Sequence, residues 1–513
     1  MHAARPVSRW FLIAAMTFGM VGCSSYPFIS TETIVGGDTA TGGTTPTSTS
    51  AASFTEVPIQ ARTFVDGTSV TTTTTRAGDA ARTPIGIDFN LDGKMDPVIG
   101  YGGDEGVVQI LLSRGAPGTF DFDSLTLDSK RDMQNLADVT VGDVDGDGLL
   151  DIVTGAKYSV WYFHHPSNGV TTDLRLWGNQ NPTDPLRERV DASFSQLTDS
   201  ELQAIITNAL GPGVNLDDYD VTIEQVYTNV EIADFDNDGA NDIAASRKFK
   251  ITLDPKPNTN VEPIEINDGD IFVFKNPGAA IDGNGWTAIS IGGHERQQRL
   301  DRDGATGLLL YDMNGDGWLD IVSSARDDNN VQVAWFANPG VLDANTPWTQ
   351  CRIGSIRDAF AIDIGDINGD GLLDVVGTGG AQKQMMLFLQ PSAADGGPCR
   401  GYDWSSYVIA TFDEFEPRSV KIFDIDNDGL AELIVGGTDG ALRYFDRPID
   451  VTKAWTSKTI TTFDPPGEVG LLGYGDFDAD GDFDLISVIN SDDNNEDRVI
   501  WIRNDVGVPA ILQ

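Results

Sequence analysis

One nine-residue pattern, Asp-x-(Asp/Asn)-x-Asp-Gly-x-x-(Asp/Glu), recurs seven times in this chain of 513 residues and limits its fold more than any other feature. It begins at Asp88, Asp143, Asp234, Asp312, Asp366, Asp424 and Asp476, so by subtraction successive starts lie 55, 91, 78, 54, 58 and 52 residues apart. A repeated unit of this size marks a repeat architecture. The two long intervals read as the same unit carrying insertions. Before each motif stands an alternating or apolar run, such as Phe360 to Ile364 or Leu471 to Tyr474. After it comes a short β-prone run, as at Asp151 to Thr154, Asp320 to Ser323 and Asp374 to Gly377. A further β run ends in a turn at Ile271 to Gly278, Val333 to Gly340 and Val499 to Asn504. A fourth segment opens with Trp286, Trp348, Trp404 or Trp455. Four short strands per unit, separated by Gly, Asn and Pro, describe a propeller blade. The expected fold is all-β: a seven-bladed β-propeller of four-stranded antiparallel blades, with one small helical insertion.

The last unit lacks a Trp-type fourth strand, whereas Phe54 to Phe64 has strand character and no partner of its own. The economical solution is that this N-terminal strand completes the last blade, which also removes exposed sheet edges. The recurrent place of the tryptophans assigns them to packing between blades. Thr71 to Thr75 is either a loop or an exposed strand. Of the insertions, residues 165–218 contain Thr198-Asp-Ser-Glu201 before Leu202, Ile205, Ile206 and Leu210, with Gly211 following. That is a capping box, helical apolar spacing and a glycine stop. The other, Lys248 to Asp268, carries Pro255, Pro257 and Pro263 and is expected as an extended loop on the face opposite the acidic loops. The larger insertion lies on the acidic-loop side if Tyr219 to Val226 is its blade's outer strand, the preferred reading, or on the opposite face if Thr172 to Trp177 is.

The loop's chemistry is that of a hard cation. Calcium takes six to eight oxygen ligands in flexible geometry, and side chains at positions 1, 3 and 5 of a tight loop can converge on one point. Gly at position 6 allows the turn, position 7 offers a backbone carbonyl, and position 9 closes the shell. The first loop offers Asp88, Asn90, Asp92, Lys94 through its carbonyl, and Asp96; the second Asp143, Asp145, Asp147, Leu149 and Asp151. The third offers Asp234, Asp236, Asp238, Ala240 and Asp242; the fourth Asp312, Asn314, Asp316, Trp318 and Asp320. The fifth offers Asp366, Asn368, Asp370, Leu372 and Asp374; the sixth Asp424, Asp426, Asp428, Leu430 and Glu432. The seventh offers Asp476, Asp478, Asp480, Asp482 and Asp484. An EF-hand begins in the same way but needs Glu at position 12. Position 12 here holds Ile99, Thr154, Ala245, Ser323, Gly377, Val435 and Ser487, which excludes it. About seven Ca2+ ions are expected, and they would offset part of the formal net charge of −44. The same charge argues against nucleic acid as a partner, since phosphates demand Lys and Arg.

Arg5 and Arg9 precede an apolar run from Trp10 to Val21, then Gly22, Cys23, Ser24 and Ser25. The run is too short to span a bilayer and suits a signal-peptide core. The Gly22-Cys23 junction resembles a bacterial lipobox, which implies cleavage after residue 22 and lipidation of Cys23. Residues 23–53 form a Thr/Ser/Gly-rich tether with too little apolar surface to repay ordering, and residues 54–513 are the propeller. The expected location is outside the cytoplasm, lipid-anchored to the cell envelope at an outer membrane or the cell surface, with membrane contact only through the lipid. Of the remaining cysteines, Cys351 and Cys399, only geometry decides whether they pair.

The loops, with the apolar-Gly runs after them such as Leu433 to Gly437, resemble the FG-GAP/VCBS repeats of the integrin α-chain propeller. The resemblance covers roughly Phe54 to Asn504 outside the insertions, and implies calcium loops joining the first and second strands of seven blades. No Gly-x-Ser-x-Gly elbow, Walker A loop, dinucleotide fingerprint or His-Glu-x-x-His motif is present. His164 and His165 are either a functional pair or, the preferred reading, a solvated strand end; His294 lies in a charged stretch expected as an exposed loop. The expected function is a monomeric, surface-displayed binding or adhesion module for a protein or polysaccharide ligand, with structural calcium and no catalytic residues. A carbohydrate-active enzyme of the polysaccharide-lyase kind and a structural envelope protein are the alternatives.

Overall fold

The computed structural model describes residues 54–504 apart from internal segments, of which 166–186 is the longest. The signal segment, the tether and Cys23 fall outside the described residues, as do Thr172 to Trp177 and His294. Three short strands come first: β1 (Phe54–Pro58), β2 (Gln60–Val65) and β3 (Thr68–Thr73). Blade 1 follows as β4 (Ala81–Ile87), β5 (Asp96–Tyr101), β6 (Val107–Ser113) and β7 (Phe122–Asp128). Blade 2 is β8 (Asp138–Gly142), β9 (Asp151–Ala156), β10 (Ser159–Phe163) and β11 (Arg187–Arg189). Blade 3 is β12 (Tyr219–Ala233), β13 (Asp242–Pro255), β14 (Ile264–Lys275) and β15 (Thr287–Gly292). Blade 4 is β16 (Ala305–Tyr311), β17 (Asp320–Ala325), β18 (Val333–Ala337) and β19 (Thr349–Gly354). Blade 5 is β20 (Ala359–Gly365), β21 (Asp374–Gly379), β22 (Gln384–Leu389) and β23 (Ser405–Thr411). Blade 6 is β24 (Pro417–Phe423), β25 (Glu432–Gly437), β26 (Ala441–Asp446) and β27 (Thr456–Thr462). Blade 7 is β28 (Glu468–Gly475), β29 (Asp484–Asn490), β30 (Arg498–Asn504) and, from the other end of the chain, β1.

The closure expected from the sequence is therefore present, with Phe54 opposite Asn504 in an antiparallel pair. The stretch Phe54 to Phe64 is not one strand, however. After Pro58 the chain crosses to blade 1, where β2 pairs parallel with β7, Ala61 opposite Phe122, and β3 folds back on β2. Blade 1 is consequently six-stranded, and the Thr-rich stretch is strand as far as Thr73.

Successive first strands touch one another around the ring, from β4 through β28 and back to β4. Seven apolar clusters fill the seven junctions between neighbouring blades, the last joining Phe477 and Trp501 of blade 7 to Ile99 and Phe122 of blade 1. A second or third strand is thus covered on both faces, which is why Asp151–Ala156 is buried at every residue and reads as an unbroken apolar run rather than an alternating one. The outermost strand of blade 6, TSKTITT, is largely exposed. Glycine serves the close blade contacts: a Cβ at Gly436 would come within 2.5 Å of Val469 in the next blade. The tryptophans pack between blades as expected, Trp348 beside Phe235 and Trp404 within the cluster that holds Trp335. The main chain follows, for the Trp404 and Trp455 N–H groups donate to Ile353 and Ile409 of the preceding blade.

Both insertion readings need correction. Lys248 to Asp268 is not an extended loop; it is a continuation of β13 and β14, paired from Lys248 opposite Gly269 to Leu253 opposite Ile264. Only its tip, 257–262, lies outside the described residues. Phe249, Ile251 and Leu253 alternate inward, a period-2 signal that the prolines mask in the sequence. Tyr219 to Val226 is no outer strand of blade 2 but the start of the long inner strand of blade 3; blade 2 ends instead on Arg187–Arg189. The helix itself is present as α1 (Asp199–Leu210), stopped by Gly211 at φ +88°, whose N–H donates to the Thr207 carbonyl. It lays Leu202, Ile205 and Ile206 on Phe249, Ile251, Leu253 and Ile266. The helix therefore sits beside the hairpin on the face away from the acidic loops, and the two insertions form one annex with its own core.

Cys351 and Cys399 are paired in a disulfide, with Cα atoms 4.9 Å apart and a sequence separation of 48. The bond ties β19 of blade 4 to the connection leading into β23 of blade 5. In a double Cys351→Ser, Cys399→Ser variant the loss of this cross-link is expected to cost about 2–5 kcal/mol of unfolding free energy, measured by denaturant titration with the native far-UV spectrum retained.

Candidate metal centres

Each acidic loop joins the first strand of its blade to the second, so all seven open on one rim of the ring. The first five are described completely; Asp426 and Asp428 of the sixth and Asp480 and Asp482 of the seventh fall outside the described residues.

Within a loop the carboxylates first organise the backbone. At position 1, Asp366 accepts from the N–H groups of Gly369, Asp370 and Gly371 at 2.7–3.1 Å. At position 3, Asn368 Oδ1 accepts the Asp370 N–H at 2.8 Å, and at position 5 Asp370 accepts the Leu372 N–H at 2.9 Å. The same ladder recurs from Asp88 to Lys94, Asp143 to Leu149 and Asp312 to Trp318. In the third loop Asp234 holds Asp238 and Gly239, and Asp238 holds Ala240. In the sixth, Asp424 accepts the Gly429 N–H. Position 6 takes a left-handed backbone, with Gly371 at φ +82° and Gly239 at φ +91°, which explains its constancy. Position 4 is left-handed too, at Leu91 (φ 58°), Asn237 (φ 54°) and Gly369 (φ 79°), a requirement the sequence reading missed although Gly or Asn fills it in most copies.

Position 9 has a second task. Its carboxylate is fully buried at Asp96, Asp151, Asp242, Asp320, Asp374 and Asp484. One oxygen of Asp374 accepts the Ile367 N–H of its own loop; the other accepts the Gln390 N–H just after β22. Asp96 clamps Phe89 to Ser113, Asp151 Val144 to His165, Asp242 Phe235 to Asn276, Asp320 Met313 to Asn338, and Asp484 Phe477 to Asn504 in the same way. Glu432 likewise accepts the Ile425 N–H of its own loop. Burial pushes the carboxyls of Asp96, Asp151, Asp242, Asp320 and Asp374 up to about 7, against the backbone donors that favour ionisation.

The residue at or just past the end of the third strand then reaches across the blade junction. Side-chain amides of Asn276, Asn338, Gln390 and Asn504 donate to the position-2 carbonyls of the preceding loops, at Val144, Phe235, Met313 and Ile425. Arg447 does the same to Ile367. Every acidic loop so bridged is thus joined to its own blade and to the next. The sequence reading placed Asn276, Asn338 and Asn504 in runs that end in a turn and did not single out Gln390 or Arg447; their common offset from the third strand was the available signal. His165 occupies this position in blade 2, its ring 5.8 Å from Phe89. His164 lies 3.3 Å from Asp145 and, by hydrogen bonding, holds that carboxyl below its usual range. Both histidines are buried, so the pair is not a solvated strand end.

In two loops, carboxylate oxygens gather closely enough to share one cation. Oxygens of Asp143, Asp145 and Asp151 come within 4.8 Å of one another, and so do those of Asp234, Asp236 and Asp242. In the fourth and fifth loops none of Asp312, Asp316, Asp366 and Asp370 forms an ion pair within 4.0 Å among the described residues, although the Arg447 guanidinium donates to the Ile367 carbonyl of the fifth. Carboxylate and carbonyl oxygens are the ligands that calcium prefers.

Two segments, residues 88–154 and 312–377, match the family model of the FG-GAP-like repeat. Each runs from the first residue of one acidic loop through the strand that follows the next loop. No match was found among curated proteins. Among solved structures the chain resembles BBS1N in complex with ARL6DN, in a crystal soaked with mercury, at 11% identity and a TM-score of 0.40, over 85% of this chain and 95% of that one. It also resembles the Dos1 propeller at 10% identity and a TM-score of 0.35, over 79% of this chain and 74% of that one. The chain is a β-propeller that carries FG-GAP-like repeats.

Proposed function

We propose that this protein is an exported, lipid-anchored binding or adhesion module, displayed at the cell surface, in which calcium held by the acidic loops stiffens the ring. The observation that carries the metal reading is the convergence of the Asp143, Asp145 and Asp151 carboxylates on one point in the second loop, within a loop type repeated around the whole rim. Calcium bound at positions 1, 3, 5, 7 and 9 would neutralise carboxylates that otherwise repel one another. Because position 9 clamps the blade, the ion would brace the blade junction as well as the loop. The disulfide supports an oxidising, exported location. A protein or polysaccharide ligand is proposed to bind the annex of α1 and the β13–β14 hairpin. There the chain departs from the blade template, and binding residues gather where a rigid scaffold carries such additions.

Calcium is expected to raise the melting temperature and chelator to lower it. With affinities of ~10⁻⁴–10⁻³ M, each site adds about 1 kcal/mol in millimolar calcium. Asp370→Ala should lose that share only when calcium is present, read as the difference between its destabilisation in calcium and in chelator. An identical loss in both conditions would assign Asp370 to the turn alone.

A carboxyl with a raised native pKa keeps its proton in the fold to about 7 but loses it near 3.8 when unfolded. The native state then binds more protons between these values, so calcium-free stability falls as pH rises from about 4 to about 7 and levels above. Calcium binds the ionised form, so saturating calcium should abolish or reverse the fall. Denaturant midpoints at pH 5 and pH 8, with and without calcium, check the sign.

The annex reading is checked by glycan and envelope-protein binding assays. Shortening the helical insertion and the hairpin together should leave the ring folded and remove binding. Shortening the helix alone should instead expose Phe249, Ile251 and Leu253 and promote aggregation. Full binding by the doubly shortened, folded variant would refute the proposal.

A further inference from the structure

The third acidic loop already has an ammonium against two of its acids. Lys275, the last residue of β14, directs its ammonium at two of the loop's acids, pairing with Asp236 and lying 3.0 Å from Asp238. These are positions 3 and 5, where a cation would be held. The lysine is firmly placed. The next residue, Asn276, donates its N–H to Asp242 at 2.8 Å and its amide to Val144 and Asn241 across the blade junction. At the equivalent strand end, one residue before the position-9 clamp, blades 4 and 5 carry Ala337 and Leu389, which bring no charge to their loops, while blade 2 carries His164 and blade 7 Arg503. The third loop has Asp at positions 1, 3, 5 and 9, as the second and seventh also do, whereas the fourth and fifth have Asn at position 3. The second loop sets His164 against its position-3 acid; the third sets an ammonium against positions 3 and 5.

We infer that Lys275 is the built-in cation of the third loop: by bridging Asp236 and Asp238 it takes the place of calcium there, so this loop is formed without metal. The inference rests on the calcium reading of the other loops. A calcium ion brought to the same carboxylates would meet like charge at contact distance and would have to expel the ammonium. Blade 3 also carries the annex, so the blade with the added surface would be the one whose loop is independent of calcium supply.

The test counts ions on the folded full-length chain by equilibrium dialysis with calcium at neutral pH, with native mass spectrometry as a second count. Lys275→Met and Lys275→Gln should each bind one more calcium than the parent. Asp236→Asn, made with the lysine in place, should leave the count unchanged, whereas Asp370→Ala should lower it by one. If Asp370→Ala lowers the count but neither lysine variant raises it, the inference is overturned and the calcium reading stands. A drop caused by Asp236→Asn overturns it as well, and does so even if the lysine variants fail to fold. If neither the parent nor any variant binds calcium, both readings fall, and the absence of binding by the parent identifies the calcium reading as the cause.

Discussion

The buried carboxylate that ends each acidic loop is the contact on which the ring depends. It is dehydrated among apolar strands, which disfavours its charge, yet it accepts backbone N–H groups from two segments that have no other reason to meet. Asp374 holds Ile367 to Gln390, and Gln390 in turn reaches Met313 of the preceding blade. Removing such an acceptor would leave two buried donors without partners, at a cost of about 1–3 kcal/mol each. The loop is thereby part of the blade junction rather than an appendage to it.

Placing carboxylates at such junctions concentrates like charge on one rim, and the chain answers in different ways from loop to loop. The fourth and fifth loops use Asn in place of one acid; the third adds a lysine; the second places His164 against Asp145. The ladder of N–H donors within the five fully described loops favours the ionised carboxylates, since hydrogen bonds to the charged form stabilise it. These devices give loops of almost one sequence different local charge balances.

The annex follows a different rule. Its strands extend beyond the ring, where no neighbouring blade covers them, and α1 supplies the missing apolar face. A helix of this length is marginal alone in water; here the helix and the hairpin each provide the burial the other lacks.

The sequence by itself determined the repeat, the blade plan, the closure by an N-terminal strand and the architecture of the loops. It could do so because each determinant is local: nine residues hold every turn, side-chain acceptor and glycine that a loop requires. The tryptophans were legible for the same reason, since Trp286, Trp348, Trp404 and Trp455 hold one place in the repeats that carry them. Tertiary structure alone decided the rest. It gave β2 to blade 1 instead of blade 7, because pairing with β7 joins residues about sixty apart along the chain. It turned a proline-bearing stretch into a hairpin, because Ile206 and its neighbours cover Phe249, Ile251 and Leu253 from a separate insertion. It buried His164 and His165 and set Lys275 against Asp236, contacts fixed by how strands of one blade stand side by side. Spacing along a chain encodes turns and periods, but which charge faces which is settled only when the strands pair.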